Sequence, residues 1–260
     1  MEEKGIRINR FVADTGAASR RRADDLIDGG HVEVQRKGRG RRERADKGFR
    51  VMPGDRVFLD GRDITGEAER KVYMILNKPR GIVCTADRSD PKNVIDFVGG
   101  KGSLTYAGRL DKDSTGLLLL TNDGELNNLI MKAASCHEKE YICRVDKPFR
   151  DDFLKKMAAG VTIAVPDRNH VMRRRRTRPC HVRRIGIDKF AITLTQGYNR
   201  QIRRMCAEFG FEVVELKRVR LMTLKLGSLP EGRTRELLPE EIDRLKAMAA
   251  VKEAGDNDEH

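Results

Sequence analysis

The chain has no tryptophan, and only nine phenylalanines and four tyrosines among its 260 residues. Stacking on nucleic-acid bases must therefore rest on a few Tyr, Phe and Arg side chains. No apolar run approaches the ~18 residues that a membrane span needs. The start, Met1-Glu2-Glu3-Lys4, lacks the apolar segment of a secretion signal. A cytoplasmic protein that does not engage a membrane is expected. Cysteine is scarce: Cys84, Cys136, Cys143, Cys180 and Cys206 are scattered, odd in number and never spaced as CxxC. Zinc binding and a disulfide framework are both disfavoured, and each cysteine reads as a small buried hydrophobe. A P-loop, a GxGxxG and the patterns of zinc fingers, homeodomains and basic zippers are missing as well.

Acid is also in short supply. Lys and Arg number 53 against 40 Asp and Glu, giving a net charge of +13. Because the excess is clustered, a phosphate backbone is the favoured partner. Arg20, Arg21 and Arg22 open a helix, where cations oppose the macrodipole, so a partner for that charge is expected. The segment 36–50 carries Arg36, Lys37, Arg39, Arg41, Arg42, Arg44, Lys47 and Arg50. Its composition predicts a flexible arm that orders on phosphate. Arg173–Arg176, with Arg178, Arg183 and Arg184, follow a loop-like insertion, Pro166-Asp167-Arg168-Asn169-His170, and also read as phosphate contacts. Such contacts position a nucleic acid without specifying its sequence.

The length suits one large or two modest domains. Residues 1–66 read as a small unit. Ile8, Phe11 and Val12 have helical spacing, Ser19 can cap a second helix with Ala23, Leu26 and Ile27 inward, and Gly29-Gly30 stops it. His31–Val34 alternates like a strand, and Val51–Leu59 reads as strand, turn, strand. A charged linker at 67–71 precedes a larger domain at 72–249, and a polar tail, 250–260, is expected to be disordered. The larger domain has strand candidates at 72–76, 117–120, 139–146, 181–186, 190–196, 212–220 and 223–226. Its helix candidates are 123–133, 150–159, 199–209 and 239–249. The elements intersperse without regular βαβ alternation, so the fold class is α+β with a mixed, largely antiparallel sheet.

The chemistry concentrates in Gly108–Gly124. Asp111 sits in a polar turn, two positions after Arg109, and the turn feeds Leu117–Leu120, a buried strand. A carboxylate held at the mouth of a core strand is suited to act as nucleophile or general base. An aspartate in a turn is also an ordinary cap. With Asp113 and Asp123, it would alternatively supply three acids for a divalent metal, as in a nuclease. Tyr141, in Glu138-Lys139-Glu140-Tyr141, is either strand filler or a residue that stacks on a displaced base or moves a proton. The helix opened by Tyr198-Asn199-Arg200-Gln201-Ile202-Arg203-Arg204-Met205 buries Ile202, Met205, Cys206 and Phe209. One of Arg200, Arg203 and Arg204 lies at its inner edge, where it could pair with Asp111 and keep it ionised.

Five stretches occur in the order found in the RsuA/RluF-type pseudouridine synthases of ribosomal RNA. They are Asn77-Lys78-Pro79-Arg80-Gly81, Gly108-Arg109-Leu110-Asp111, Leu117–Gly124, Lys139-Glu140-Tyr141 and Asn199–Met205. Roughly residues 72–247 resemble that family, closest to its RluF subgroup. Residues 1–66 resemble the S4 RNA-binding domain at Arg7–Phe11, Ala18-Ser19-Arg20-Arg21 and Pro53-Gly54-Asp55. The resemblance implies that Asp111 is the catalytic aspartate, Tyr141 the active-site tyrosine and Arg203 the partner of Asp111. Arg109, Lys139, Arg20, Arg21 and Arg22 are the implied substrate contacts. It implies isomerisation of a uridine without metal or other cofactor, by a monomer acting on ribosomal RNA. Large-subunit RNA is favoured, small-subunit RNA comes second and a tRNA anticodon loop third. The insertion 36–50 and the Arg-rich stretch 168–178 depart from the family pattern. The alternatives are a non-catalytic S4-type RNA-binding protein and a metal-dependent nuclease.

Overall fold

The computed structural model describes residues 5–66, 70–85, 87, 89–100, 104–131, 137–167 and 169–254. Cys136, Arg168, linker residues 67–69, helix-end residues 132–133 and tail residues 255–260 lie outside the described residues. The chain divides into two compact units, with a boundary between Lys71 and Val72.

In the first unit, β1 (Ile6–Arg7) runs into α1 (Ile8–Asp14), followed by α2 (Arg20–Asp28). Then come β2 (Val32–Gln35), β3 (Arg42–Arg44), β4 (Arg50–Val51), β5 (Arg56–Leu59) and β6 (Arg62–Asp63). Four strands form a sheet ordered β3-β2-β5-β6, and β1 pairs with β4. Ile8, Val12, Ala23, Ile27, Val32, Val34, Val57 and Ile64 make the core between helices and sheet. The Ser19 side chain accepts from the Arg22 N–H at 3.3 Å and starts α2.

The segment 36–50 is more ordered than its composition predicts. Arg42–Arg44 pairs with Val34 and its neighbours as β3. The Arg42 guanidinium lies 3.6 Å from the Phe58 ring centroid, and that of Arg36 lies 4.1 Å from Phe49. Arg36 also donates to Asp55 at 2.8 Å. Asp55 is buried and additionally accepts from the backbone N–H groups of Met52 and Lys37. Burial disfavours its ionisation, but these donors outweigh it and lower its pKa. Part of the expected arm is thus structural, with the Arg36 and Arg42 guanidiniums engaged by aromatic rings.

The second unit begins with β7 (Tyr73–Lys78), α3 (Val94–Phe97), β8 (Thr105–Ala107), β9 (Thr115–Thr121) and α4 (Gly124–Met131). It continues through β10 (Lys139–Val145), α5 (Asp151–Ala158), β11 (Thr162–Pro166), β12 (Met172–Arg176), β13 (His181–Arg184) and β14 (Lys189–Leu194). It closes with α6 (Gln201–Ala207), β15 (Val213–Leu221), β16 (Leu224–Lys225), β17 (Thr234–Glu236) and α7 (Pro239–Ala254). The main sheet is ordered β13-β14-β10-β15-β9-β7-β17, with β16 beside β15 and β8 beside β9. Its pairings are antiparallel except β9 with β15, which is the mixed, largely antiparallel sheet expected. Four consecutive leucines, Leu117–Leu120, are fully buried, each worth roughly 1.5–3 kcal/mol. One core gathers α5, α6, β10, β11, β14 and β15 around Phe153, Phe190 and Met205, and another gathers α4, α7 and β9 around Leu119, Ile130 and Leu245.

One strand was absent from the candidates, and one expectation is corrected. Arg173–Arg176 is the strand β12, hairpinned to β11, because Asp167 Oδ1 accepts from the Asn169 and Val171 N–H groups and turns the chain. The tail does not begin at residue 250: α7 continues to Ala254.

The parallel seam is short. Thr115 and Gly116 pair with Lys217 and Arg218. Gly116 has φ +104°, and a Cβ there would lie 2.2 Å from the Arg218 carbonyl oxygen. The backbones touch because no side chain stands between them. Gly116→Ala meets both a strained dihedral and a clash. It should lower the unfolding free energy by about 3 kcal/mol or more, seen as a fall in urea midpoint at unchanged m.

Candidate active site

The strand β9 has β7 along one side, from Gly116 to Thr121. Its other side is shared: β15 takes Thr115 and Gly116, while β8 takes Leu119–Thr121. The sheet forks there, and the carbonyl of Leu117 points into the fork without a strand to receive it. The side chain of Arg218 fills the gap. Its Nε donates to Leu117 O at 2.7 Å, Nη2 to Gly108 O at 3.2 Å and Nη1 to Arg109 O at 3.5 Å. Arg218 is 1% exposed. A buried cation is tolerated when its donors are met, and here it nails the loop after β8 to the sheet.

That loop carries Asp111. Gly108 adopts φ +76° at its start. The Leu110 N–H donates to Cys84 Sγ at 3.4 Å, and the Ser114 N–H closes a turn on Asp111 O at 3.0 Å. From below, the fully buried Lys78 donates to the carbonyls of Pro79, Ile82 and Lys112. The Asp111 side chain is 29% exposed, and its Oδ2 lies 3.9 Å from both Arg200 Nη1 and Arg203 Nε.

Both arginines come from α6. Arg200 is its N-cap in a left-handed conformation, φ 52° and ψ 34°, which a side chain adopts only under constraint. Arg203 is held by Val213 O at 2.8 Å and Asp113 O at 3.5 Å. Its Nε, buried and without a hydrogen-bond partner among the described residues, is left for Asp111. Arg204 turns away, donating to Asn199 O and Ala164 O. The three arginines that the sequence could not separate thus divide into two near Asp111 and one that ties α6 to β11. A cavity of about 390 Å³ opens beside the same pair, lined by Asp146, Phe211, Glu212 and Val213.

Tyr141, half-buried, lies in β10 directly between Ile192 of β14 and Arg218 of β15. It therefore shares a sheet face with the residue that pins the Asp111 loop. Lys139 donates to the carbonyl of His137. Arg109 is exposed at the loop's crest. Arg20, Arg21 and Arg22 are exposed on the first turn of α2, in the other unit. The three acids of the nuclease alternative do not converge. Asp113 faces Arg80 at 4.0 Å, and Asp123 accepts from Tyr73 OH at 2.7 Å while capping α4 through the Leu126 N–H. Among the described residues no three His, Cys, Asp or Glu side chains are gathered as a metal site.

Arg218 and Lys78 went unassigned in the sequence, and Arg200 was one of three arginines it left unseparated. Arg218 had a signal: in Leu216-Lys217-Arg218-Val219-Arg220, it occupies an inward position of an alternating strand, where a charge breaks the pattern.

The arrangement offers one carboxylate on a pinned loop with two guanidiniums beside it, a geometry suited to chemistry on a polyanion. Residues 72–208 match the model of the RNA pseudouridylate synthases. RluF, a dual-specificity RNA pseudouridine synthase of Escherichia coli (strain K12), is 42% identical over 250 residues, covering 95% of this chain and 81% of its own. Ribosomal large subunit pseudouridine synthase B of Bacillus subtilis (strain 168) is 35% identical over 251 residues, covering 94% and 96%. A crystal structure of a pseudouridylate synthase superposes with a TM-score of 0.61 at 28% identity, covering 92% of this chain and 99% of that one. The chain belongs to the RNA pseudouridylate synthase family and is an isomerase.

Two outcomes follow from this geometry. Arg218→Met leaves three carbonyls without their donor and should cost about 3 kcal/mol or more in urea unfolding. It should also lower kcat more than it raises KM. Burial pushes the Lys78 ammonium below its ordinary value of 10.5, against the pull of Cys84, Asp111, Asp113 and Glu231. Between that lowered value and 10.5 the unfolded chain binds a proton that the folded chain has released, so stability rises with pH across this window. Lys78→Met should remove that increment, which urea titrations of parent and variant at successive alkaline pH values would measure.

Proposed function

We propose that this chain converts one uridine of ribosomal RNA, large-subunit RNA first among the candidates, into pseudouridine, with Asp111 as the catalytic residue. The observation that carries the reading is the Asp111 carboxylate, 3.9 Å from Arg200 and from Arg203, on a loop fixed by Arg218. The names of two relatives support the substrate, one a dual-specificity RNA enzyme and one a large-subunit enzyme. Small-subunit RNA ranks second and a tRNA anticodon loop third.

The reaction breaks the C1′–N1 glycosidic bond, turns the uracil and joins C5 to C1′. It is redox-neutral, and no group passes to water. The uridine must first leave its stack, at a cost of a few kcal/mol. Phosphate contacts offset that cost, and the basic unit at 1–66, read as S4-like, supplies some of them through Arg20, Arg21 and Arg22. Ionised Asp111 then detaches the uracil, by attack on C1′ or by removal of a sugar proton. Arg203 orients the carboxylate, with Arg200 as a second cation beside it. Tyr141 packs on the uracil and assists loss of the C5 proton. Arg109 and Lys139 hold the flipped nucleotide. The acting species in this reading is a monomer working in the cytoplasm.

The test is tritium release from ribosomal RNA carrying 5-tritiated uridine. Asp111→Asn should abolish release while RNA affinity stays within about threefold, since one phosphate-distant carboxylate contributes little to binding. Release at the parental rate would overturn the assignment.

A further inference from the structure

The hairpin β11–β12 is not used by the chemistry above. Its outer strand presents Arg173, Arg174, Arg175 and Arg176 in succession, all exposed, and pairs on one side only. Two carboxylates reach this row: Asp167, 3.3 Å from Arg173, and Glu208, 3.7 Å from Arg174. Arg175 makes no ion pair among the described residues, and Arg176 donates to a single carbonyl, that of Ala159. Edge strands are commonly protected by one or two charges. Two carboxylates against four adjacent guanidiniums leave an excess of positive charge along the strand, which an extended anion would balance. The hairpin is also anchored rather than loose. Ile163 and Val165 of β11 are buried in the core that holds α6, and Arg204 of α6 donates to Ala164 O at 2.8 Å.

We propose that β12 is a second RNA-contacting edge, a phosphate rail that grips the backbone flanking the target uridine and is tied through Arg204 to the helix bearing Arg200 and Arg203. Cross-strand register sets Arg173 opposite Val165 and Arg175 opposite Ile163, so these two share a face. They stand about 7 Å apart along the strand, close to the step between successive phosphates of an RNA chain. The rail serves affinity and register, not bond breaking. It rests on the reading that the substrate is RNA.

The experiment compares the full-length parent, Arg173→Gln/Arg175→Gln, and the control Lys155→Gln/Lys225→Gln, which removes equal charge from elsewhere in the same unit. A large-subunit ribosomal RNA transcript with 5-tritiated uridine is the probe. The slope of log Kd against log salt should shrink by about 1 to 2 for the hairpin variant, and KM should rise roughly tenfold at physiological salt. At saturating RNA, kcat should stay at the parental value. The control should change neither quantity by more than about twofold. Parental Kd and slope in the hairpin variant, or an equal loss in the control, would overturn the rail and leave the catalytic reading standing. Absence of tritium release from the parent itself would instead count against the catalytic reading.

Discussion

A guanidinium buried where a sheet forks holds this active site together. Arg218 cannot leave its position without exposing the carbonyls of Leu117, Gly108 and Arg109 to an apolar surround. Those carbonyls cannot find strand partners, because β8 and β15 have already divided the edge of β9 between them. Packing and polar satisfaction therefore demand the same geometry, and the loop with Asp111 inherits its rigidity from the sheet. Gly116 completes the arrangement by letting the Arg218 backbone come into contact with β9.

The electrostatic layout around the carboxylate is lopsided. Arg200 and Arg203 approach it from α6, Lys78 lies beneath the loop and Arg109 stands exposed beside it. Asp111 and Asp113 are the acids within the turn. A surplus of positive charge around one carboxylate suits the approach of a phosphate chain. The two guanidinium partners of Asp111 stand at 3.9 Å, outside tight bidentate contact.

Much of this was legible in the sequence. The strand and helix positions of the second unit follow from periodicity, as with Leu117–Leu120 and the Ile202, Met205, Cys206 face of α6. The shared motifs pointed to Asp111, Tyr141 and Arg203. What stayed hidden has physical causes. β12 was missing from the strand candidates because four arginines have no strand pattern, and only pairing with β11 makes it a strand. β3 was concealed in the same way, its Arg42 being engaged by the ring of Phe58, farther along the chain. α3, β8 and β17 are too short to show a period, and β11 lies beside a turn that masks its end. Arg200 approaches Asp111 through a left-handed backbone that no pattern of side chains announces.

The span of the Arg218 contacts has a consequence for how the molecule acquires its activity. Arg218 lies 101 residues from Leu117 and 110 from Gly108. Pairings this remote along a polypeptide are among the last to form, because the loop they close must first give up its freedom. A nascent chain emerging from the ribosome can thus complete β7, β8 and β9 while the reactive turn is still unset. The turn that carries Asp111 therefore gains its anchor only when β15 arrives.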